Sequence, residues 1–369
     1  MIRAACRFLL FLFLGFSAHP LTCEEGCPRK VLFIMPKMLL GGSEQAFLSL
    51  TNGWSIPNTK VEILVVRRGG VLEPSLRKDF PLVSEEEAFC HQYDVAVDYM
   101  GMDPRPWLYK VHAKRKIVWV HTDLLKSPWG HPLMDKEVCK GIDEFICVSE
   151  KVAESARILQ PGLSDRIFTI RNVLDGNLVK KKATEMGPCF PKDGLLTVVS
   201  VGRLSPEKAF DRAIKVHSRL DKKGISFRWY IVGEGDERPK LEKEIEECKL
   251  QRKFILLGAK MNPYPYIAQA DIFVLPSLFE GCSIVVNEAK ILKRPILVTD
   301  VGAAREQIVS ERTGLIVDNK EKAIFEGLKR LLQNEALRKK FSRALSGFEY
   351  ENESIYKQIE QVFFPEDKR

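Results

Sequence analysis

The sequence predicts two α/β domains, each built on a parallel sheet with helices on both faces. Three observations predict this. Short apolar runs alternate with polar or amphipathic spans along most of the chain, the pattern of strands covered by helices on either side. At 369 residues the chain is long enough for two ordinary cores. A strand–glycine–helix junction, the kind that marks the carboxyl edge of such a sheet, occurs at Gly41-Gly42 and again at Gly202.

Composition narrows the function. The chain is 45% hydrophobic and 29% charged, with a formal charge of +8. That balance suits an anionic ligand or an anionic membrane surface. Nucleic acid is not expected as a partner, because the basic residues are dispersed and no basic helix with interleaved aromatics occurs. Nine cysteines scattered from Cys6 to Cys282 form no disulfide framework, and Cys23 and Cys27 lack a second pair to complete a zinc site. A reduced compartment fits that usage. The amino terminus points elsewhere. Arg3 and Arg7 precede an apolar run, Phe8 to Ala18, too short to span a bilayer. A cleaved secretory signal, an anchor dipping into a membrane face and an upstream start-site extension all fit it, so residues 1–28 are set apart as a signal- or anchor-like segment.

After Pro28 the run Lys30–Pro36 reads as a buried strand, feeding Gly41-Gly42 and a helix to about Asn52. The glycine pair lets backbone approach a ligand closely, although the spacing is not that of a dinucleotide fingerprint. Further strands are expected at Val61–Val66, Asp94–Asp98, Lys116–Val120 and Glu144–Val148. The Lys116–Val120 strand ends at His121-Thr122-Asp123, where ligands bind in open parallel sheets. His121 is therefore a candidate contact or general base. Ser149 reads as the N-cap of the next helix. The polar stretch from Lys180-Lys181-Lys182 to Lys192 reads as the domain linker.

The second domain opens with Leu195–Val201, then Gly202-Arg203-Leu204 and a Ser205-Pro206-Glu207 helix start. Arg203 and Lys208 lie there as two cations at a strand's carboxyl end, suited to an anion. Phe227–Val232 and Phe254–Leu257 are further strands, followed by Gly233 and Gly258. Residues 271–304 then read strand, loop, helix, strand, loop. Glu280 stands at the mouth of the helix and Glu288 along it; eight residues at helical rise is about 12 Å, the reach from a sugar across a diphosphate to a ribose. Between them lies the positive end of the helix dipole.

Two segments carry a resemblance. Pro276-Ser277-Leu278-Phe279-Glu280-Gly281-Cys282-Ser283 followed by Asn287-Glu288-Ala289 resembles the Glu-x7-Glu segment of the family-4 retaining glycosyltransferases (glycosyltransferase group 1). Gly202-Arg203-Leu204 with Lys208 is similar to that family's phosphate-binding pair. The resemblance runs over residues 30–364, specifically from 195 to 318 and more loosely before 190. It implies the GT-B fold, two Rossmann-like domains facing across a cleft: 29–187 on the acceptor side, 188–350 binding the nucleotide-sugar, and 351–369 crossing back as a helix. It implies Glu280, Arg203, Lys208 and His121 as catalytic residues. Gly42, Gly202, Gly233, Gly258, Gly281, Cys282, Ser283 and Glu288 would bind the donor.

The implied reaction moves a sugar from a nucleotide diphosphate-sugar to an acceptor hydroxyl with retention, in polysaccharide or glycolipid synthesis. Neither cofactor nor metal is expected; the chain contains no Asp-x-Asp. The acceptor would be a carbohydrate or a lipid-linked sugar. A cytoplasmic-side location follows, with peripheral membrane contact through the apolar run and the clusters Lys114-Arg115-Lys116 and Lys180-Lys181-Lys182; a cleaved signal would instead make the protein secreted or lumenal. Two departures stand out: Ala209 replaces a frequent glycine, and the span Val71–Tyr93 is short for the family. A sugar-nucleotide epimerase of the same fold and a non-catalytic nucleotide-sugar-binding relative are the alternatives.

Overall fold

The apolar runs become two parallel six-stranded sheets in the computed structural model, which describes residues 27–101, 106–128, 130–187 and 190–365. The Phe8–Ala18 run, on which the signal and anchor readings turn, lies outside the described residues. The first sheet comprises β1 (Arg29–Met35), β2 (Thr59–Val65), β3 (Gln92–Asp98), β4 (His112–Val120), β5 (Glu144–Cys147) and β6 (Ile167–Thr169). Their order is β2-β1-β3-β4-β5-β6. The second comprises β7 (Leu196–Val201), β8 (Phe227–Val232), β9 (Phe254–Leu256), β10 (Ile272–Leu275), β11 (Ile296–Thr299) and β12 (Leu315–Val317), in the order β12-β11-β10-β7-β8-β9. All neighbours run parallel, as sheets covered on both faces do.

The strand order decides where a ligand can sit. Chain direction across each sheet reverses beside its first strand: β1 lies between β2 and β3, and β7 between β8 and β10. A crevice opens beyond the carboxyl ends of such a pair. In the second sheet Val199 of β7 pairs with Phe273 of β10 on one side and Tyr230 of β8 on the other. The loop after β7 carries Arg203 and Lys208, and the loop after β10 carries Glu280. Residues far apart in sequence therefore meet at one crevice.

Each sheet has its own core, and the first is completed by the far end of the chain. Val31, Phe33, Val95, Val97, Val118 and Phe145 are fully buried in it. The return helix Glu353–Phe363 adds Ile355, Tyr356, Ile359, Val362 and Phe363 to that core. Phe363 lies 6.2 Å, ring to ring, from both Phe33 and Trp54. Tyr356 donates its hydroxyl proton to the carbonyl of Leu50 (2.8 Å), and Asn352 exchanges hydrogen bonds with both backbone groups of Leu174 (3.0 and 3.1 Å).

Two basic clusters differ from expectation. Strand β4 starts at His112 rather than Lys116, so Lys114-Arg115-Lys116 is strand. Lys114 pairs with Asp94 at 2.8 Å, Arg115 with Glu144 and the carbonyl of Val362, and Lys116 donates to the carbonyl of Tyr109. These cations make their contacts within the first domain, and the Lys114 side chain stays 69% exposed. Lys180-Lys181-Lys182, expected as linker, is the last turn of a helix, Gly176–Ala183, capped by Asp175 and anchored by buried Val179. Between β2 and β3 the short span holds a 3-10 turn, Glu73–Ser75, and one six-residue helix, Glu85–Cys90, closed by a Ser84–Glu87 capping box.

The return helix makes a direct prediction. Ile359 is fully buried while Glu353 is exposed. Ile359→Ala removes buried apolar volume and leaves a cavity, a loss of about 2–5 kcal/mol. Glu353→Ala removes one exposed ion pair with Lys357 and should leave stability nearly unchanged. Urea unfolding of the two variants measures the contrast; equal stabilities would show that the return helix does not support the first core.

Candidate active site

A floor of backbone forms where β7, β8 and β9 end. The Gly202 amide donates to the carbonyl of Val232 and the Gly233 amide to that of Gly258, each at 3.0 Å. A Cβ on Gly233 would stand 1.8 Å from the Gly202 carbonyl oxygen, so no side chain fits. Gly258 takes a φ of +74°, a conformation open to glycine and strained for other residues. The three glycines bring bare main chain to the crevice.

From Gly202 the chain runs through Arg203 into a 3-10 turn, Pro206–Lys208. The next residue, Ala209, adopts the left-handed conformation (φ 52°, ψ 46°) and begins the helix Phe210–Lys222. That geometry gives the family's glycine at this position its reason, and the alanine here bears a strain of about 1 kcal/mol. The tight turn sends Lys208 back over Gly202. Its Nζ reaches Glu280 Oε1 at 2.6 Å, the side chains being 18% and 13% exposed. Buried Ser277 donates to the same oxygen at 2.6 Å. The amide of Leu278 donates to the carbonyl of Glu207 (2.7 Å), tying the two loops together by backbone as well.

Glu280 and Glu288 occupy different environments. The helix runs Ile284–Ile291, with Ser283 as an N-cap that makes no side-chain bond. Glu280 therefore lies in the loop before it, and the expected 12 Å spacing along one continuous helix does not apply. Glu288 is 3% exposed. Tyr264 donates to its Oε1 at 3.1 Å, and Oε2 has no partner among the described residues. Burial pushes its pKa up to about 7, opposed by the Tyr264 bond. Cys282, expected near the phosphates through its amide, is half-buried, and desolvation pushes its thiol up to about 12.

The first domain meets this site at His121. A Cβ on Gly281 would lie 2.1 Å from the His121 carbonyl oxygen, so the two loops touch backbone to backbone. The imidazole lies 4.7 Å from the Tyr99 ring, and its Nε2 is shielded without a partner. Burial pushes its pKa down to about 3 against a hydrogen bond to the Tyr99 backbone. The ring is neutral at physiological pH and a weak base, suited to hydrogen bonding rather than proton abstraction.

Gly42 opens the helix Gly42–Asn52, and nothing lies within 4 Å of where its Cβ would be. Arg203 is exposed, and its charge acts on Glu44 across the cleft. Glu44 was not singled out by its sequence. Its carboxylate is 4% exposed, folds back beside Gly41, and is held above the usual carboxylate range by burial. Ser277 and Tyr264 were likewise not singled out; an acidic residue two positions after a glycine pair was the one local signal.

Residues 185–345 match the family described as glycosyl transferases group 1. Over 146 residues the chain is 35% identical to a Campylobacter jejuni N-acetylgalactosamine-N,N'-diacetylbacillosaminyl-diphospho-undecaprenol 4-alpha-N-acetylgalactosaminyltransferase, 39% of each protein. Over 233 residues it is 30% identical to the Escherichia coli O-antigen biosynthesis glycosyltransferase WbnH, 62% of each. The match thus spans less than two thirds of the length of these relatives. Among solved structures, the Anabaena protein HepE in complex with UDP and glucose superposes with a TM-score of 0.76 at 15% identity, over 90% of this chain and 99% of that one. WaaG, a glycosyltransferase involved in lipopolysaccharide biosynthesis, gives 0.70 at 15% identity, over 91% and 100%. The second domain carries the family resemblance in sequence, and the GT-B fold extends over nearly the whole chain.

The buried Glu288 sets a pH dependence. Its folded pKa of about 7 lies above the ordinary carboxylate value of 4.5, so its protonation favours the folded state. That contribution is complete below about pH 4.5 and is lost as pH rises through 7. Between pH 5 and 8 the wild-type protein should lose about 2–3 kcal/mol from this group, and Glu288→Gln should lose none of that part. Urea unfolding across that range, without nucleotide, measures the difference; parallel curves for the two proteins would contradict it.

Proposed function

We propose that the chain is a glycosyltransferase that moves a sugar from a nucleotide diphosphate-sugar to an acceptor hydroxyl with retention of configuration. The observation that carries this reading is the Lys208–Glu280–Ser277 cluster at the switch point of the second sheet, with Glu288 along the following helix. Glu280 takes the sugar hydroxyls, Lys208 and Arg203 the diphosphate, and Glu288 the ribose. Gly202, Gly233 and Gly258 pack the main chain tightly at the floor of the crevice, and the amides from Gly281 to Ser283 stand at the mouth of a helix whose dipole favours an anion.

As the glycosidic bond breaks, negative charge grows on the leaving diphosphate. Lys208 and Arg203, already in place, stabilise it, and no metal is required in this reading. His121 contributes a hydrogen bond from the first domain. The acceptor is a carbohydrate or a lipid-linked sugar on the cytoplasmic side of a membrane, in polysaccharide or glycolipid synthesis. Support comes from the C. jejuni relative, whose name includes a diphospho-undecaprenol acceptor, and from the O-antigen role of WbnH. Among the described residues no helix is long and apolar enough to cross a membrane.

The two glutamates should fail differently. Glu288→Gln weakens binding of the free nucleotide diphosphate. Glu280→Gln leaves that binding nearly intact and loses turnover; equal losses of nucleotide affinity would reject the assignment. Arg203→Ala and Lys208→Ala should each cost about 3 kcal/mol in the transition state, roughly a hundredfold in rate. Activity should persist with a chelator, and a rate abolished by chelation and restored by magnesium would contradict the metal-free reading. Labelled nucleotide-sugars test the reaction class. Sugar on the acceptor supports transfer, whereas isomerised sugar without acceptor would identify an epimerase and binding alone a non-catalytic relative.

A further inference from the structure

Behind the Ile284–Ile291 helix lies a second cavity of about 600 Å³, bounded by both domains. Residues two apart on a helix face nearly opposite ways. Glu288 therefore points to Tyr264, while Lys290 lines this other cavity together with Asn287. The first domain contributes Arg171, from the segment after β6, and the approach to the return helix contributes Phe348 and Tyr350.

We propose that this cavity is a second anion site, taking the phosphate group of a small phosphorylated molecule between Arg171 of the first domain and Lys290 of the second. Lys290 is 9% exposed and lines the cavity. Its ammonium lies 4.0 Å from the centre of the Phe348 ring. A second cation stands close enough that the Arg171 charge, after burial, helps hold Lys290 down at about 8. A buried cation with a second cation beside it is costly unless an anion joins them.

The carboxylates in the wall do not supply that anion. Glu150 is bound by Arg157 and Thr169, and Glu306 accepts from the Glu150 and Lys151 amides. Glu349 and Glu351 are exposed at the rim. An arginine fork and a lysine point charge together suit the two charges of a phosphate monoester better than the single charge of a carboxylate. The neighbouring Asn287 amide is 6% exposed and offers a third donor. The volume falls in the range of roughly 300–1,000 Å³ typical of small-molecule sites, leaving space for the body that carries the phosphate. Because the cations come from different domains, occupancy ties the two domains together. The site requires neither the donor sugar nor the transferase reading.

Calorimetric titration of the full chain with inorganic phosphate and with glucose 1-phosphate, against chloride at equal ionic strength, tests the proposal. The wild-type protein should bind both and unfold at a higher temperature when they are present. Lys290→Met and Arg171→Gln should each weaken binding about tenfold or more and abolish the rise in unfolding temperature, while Lys208→Ala retains both. The Arg171 side chain is exposed, so its variant reports even where the buried methionine perturbs folding. Unchanged affinity in both junction variants would overturn the proposal. So would absence of phosphate binding by the wild type, or loss of binding in Lys208→Ala alone, which would place the phosphate in the main cleft.

Discussion

The contact between Gly281 and the carbonyl of His121 governs how the halves of this protein meet. There is no space for a Cβ at Gly281, so the loop after β10 lies directly on the loop after β4. The Gly281 carbonyl accepts from the Ser149 hydroxyl of the first domain (3.3 Å) and from the Ala303 amide of the second (3.0 Å). Gly302 takes a φ of +51°, with its would-be Cβ 2.3 Å from the Glu280 carbonyl oxygen. Glycine at 281 and 302 thus lets several backbone segments converge where any side chain would separate them. Because Glu280 and His121 sit on the touching loops, their relative placement depends on this contact.

A second tie lies beside it. Glu306 presents its carboxylate to the amides of Glu150 and Lys151 in the first turn of the Glu150–Leu159 helix, at 3.3 and 3.2 Å. A negative charge is favoured there by the unpaired amides and by the helix dipole. The return helix completes the joint by anchoring the end of the chain in the first core. The two domains are therefore held together around the glutamate helix, with the main crevice on the Glu288 side and the Arg171–Lys290 cavity on the other.

Much of the fold was legible because strands buried on both faces must be largely apolar, as β10 and the Val31–Met35 part of β1 are. The sequence signal weakened where burial did. Strand β4 extends through His112–Arg115, whose charged side chains are tolerated because Asp94 and Glu144 meet Lys114 and Arg115. The lysines of the Gly176–Ala183 helix looked like linker because only Val179 of that helix is buried. At the site, Lys208 and Glu280 were individually visible through the family resemblance. Their ion pair was not, since it spans 72 positions and exists because β7 lies beside β10. Arg171 and Lys290 had no local signal for the same reason: each is an unremarkable cation until the fold brings both to one cavity.

The Lys208–Glu280 pair also indicates how a donor can enter without leaving a buried charge stranded. Lys208 and Glu280 neutralise one another in a partly buried place, and separating such a pair is costly when either partner is left alone. Here neither would be. Ser277 donates to the same Glu280 oxygen as Lys208, so the carboxylate keeps a hydrogen bond when the lysine turns away. On the proposed reading the incoming molecule supplies the remainder: sugar hydroxyls donate to Glu280 and the diphosphate accepts Lys208. The exchange preserves the number of charge-assisted contacts while moving the positive charge from a carboxylate to the group that gains negative charge in the reaction. Ser277 is fully buried, and its carbonyl is fixed by the Thr299 hydroxyl at 2.6 Å. It therefore holds Glu280 in position through the exchange, which makes this serine a positioning residue for the pair.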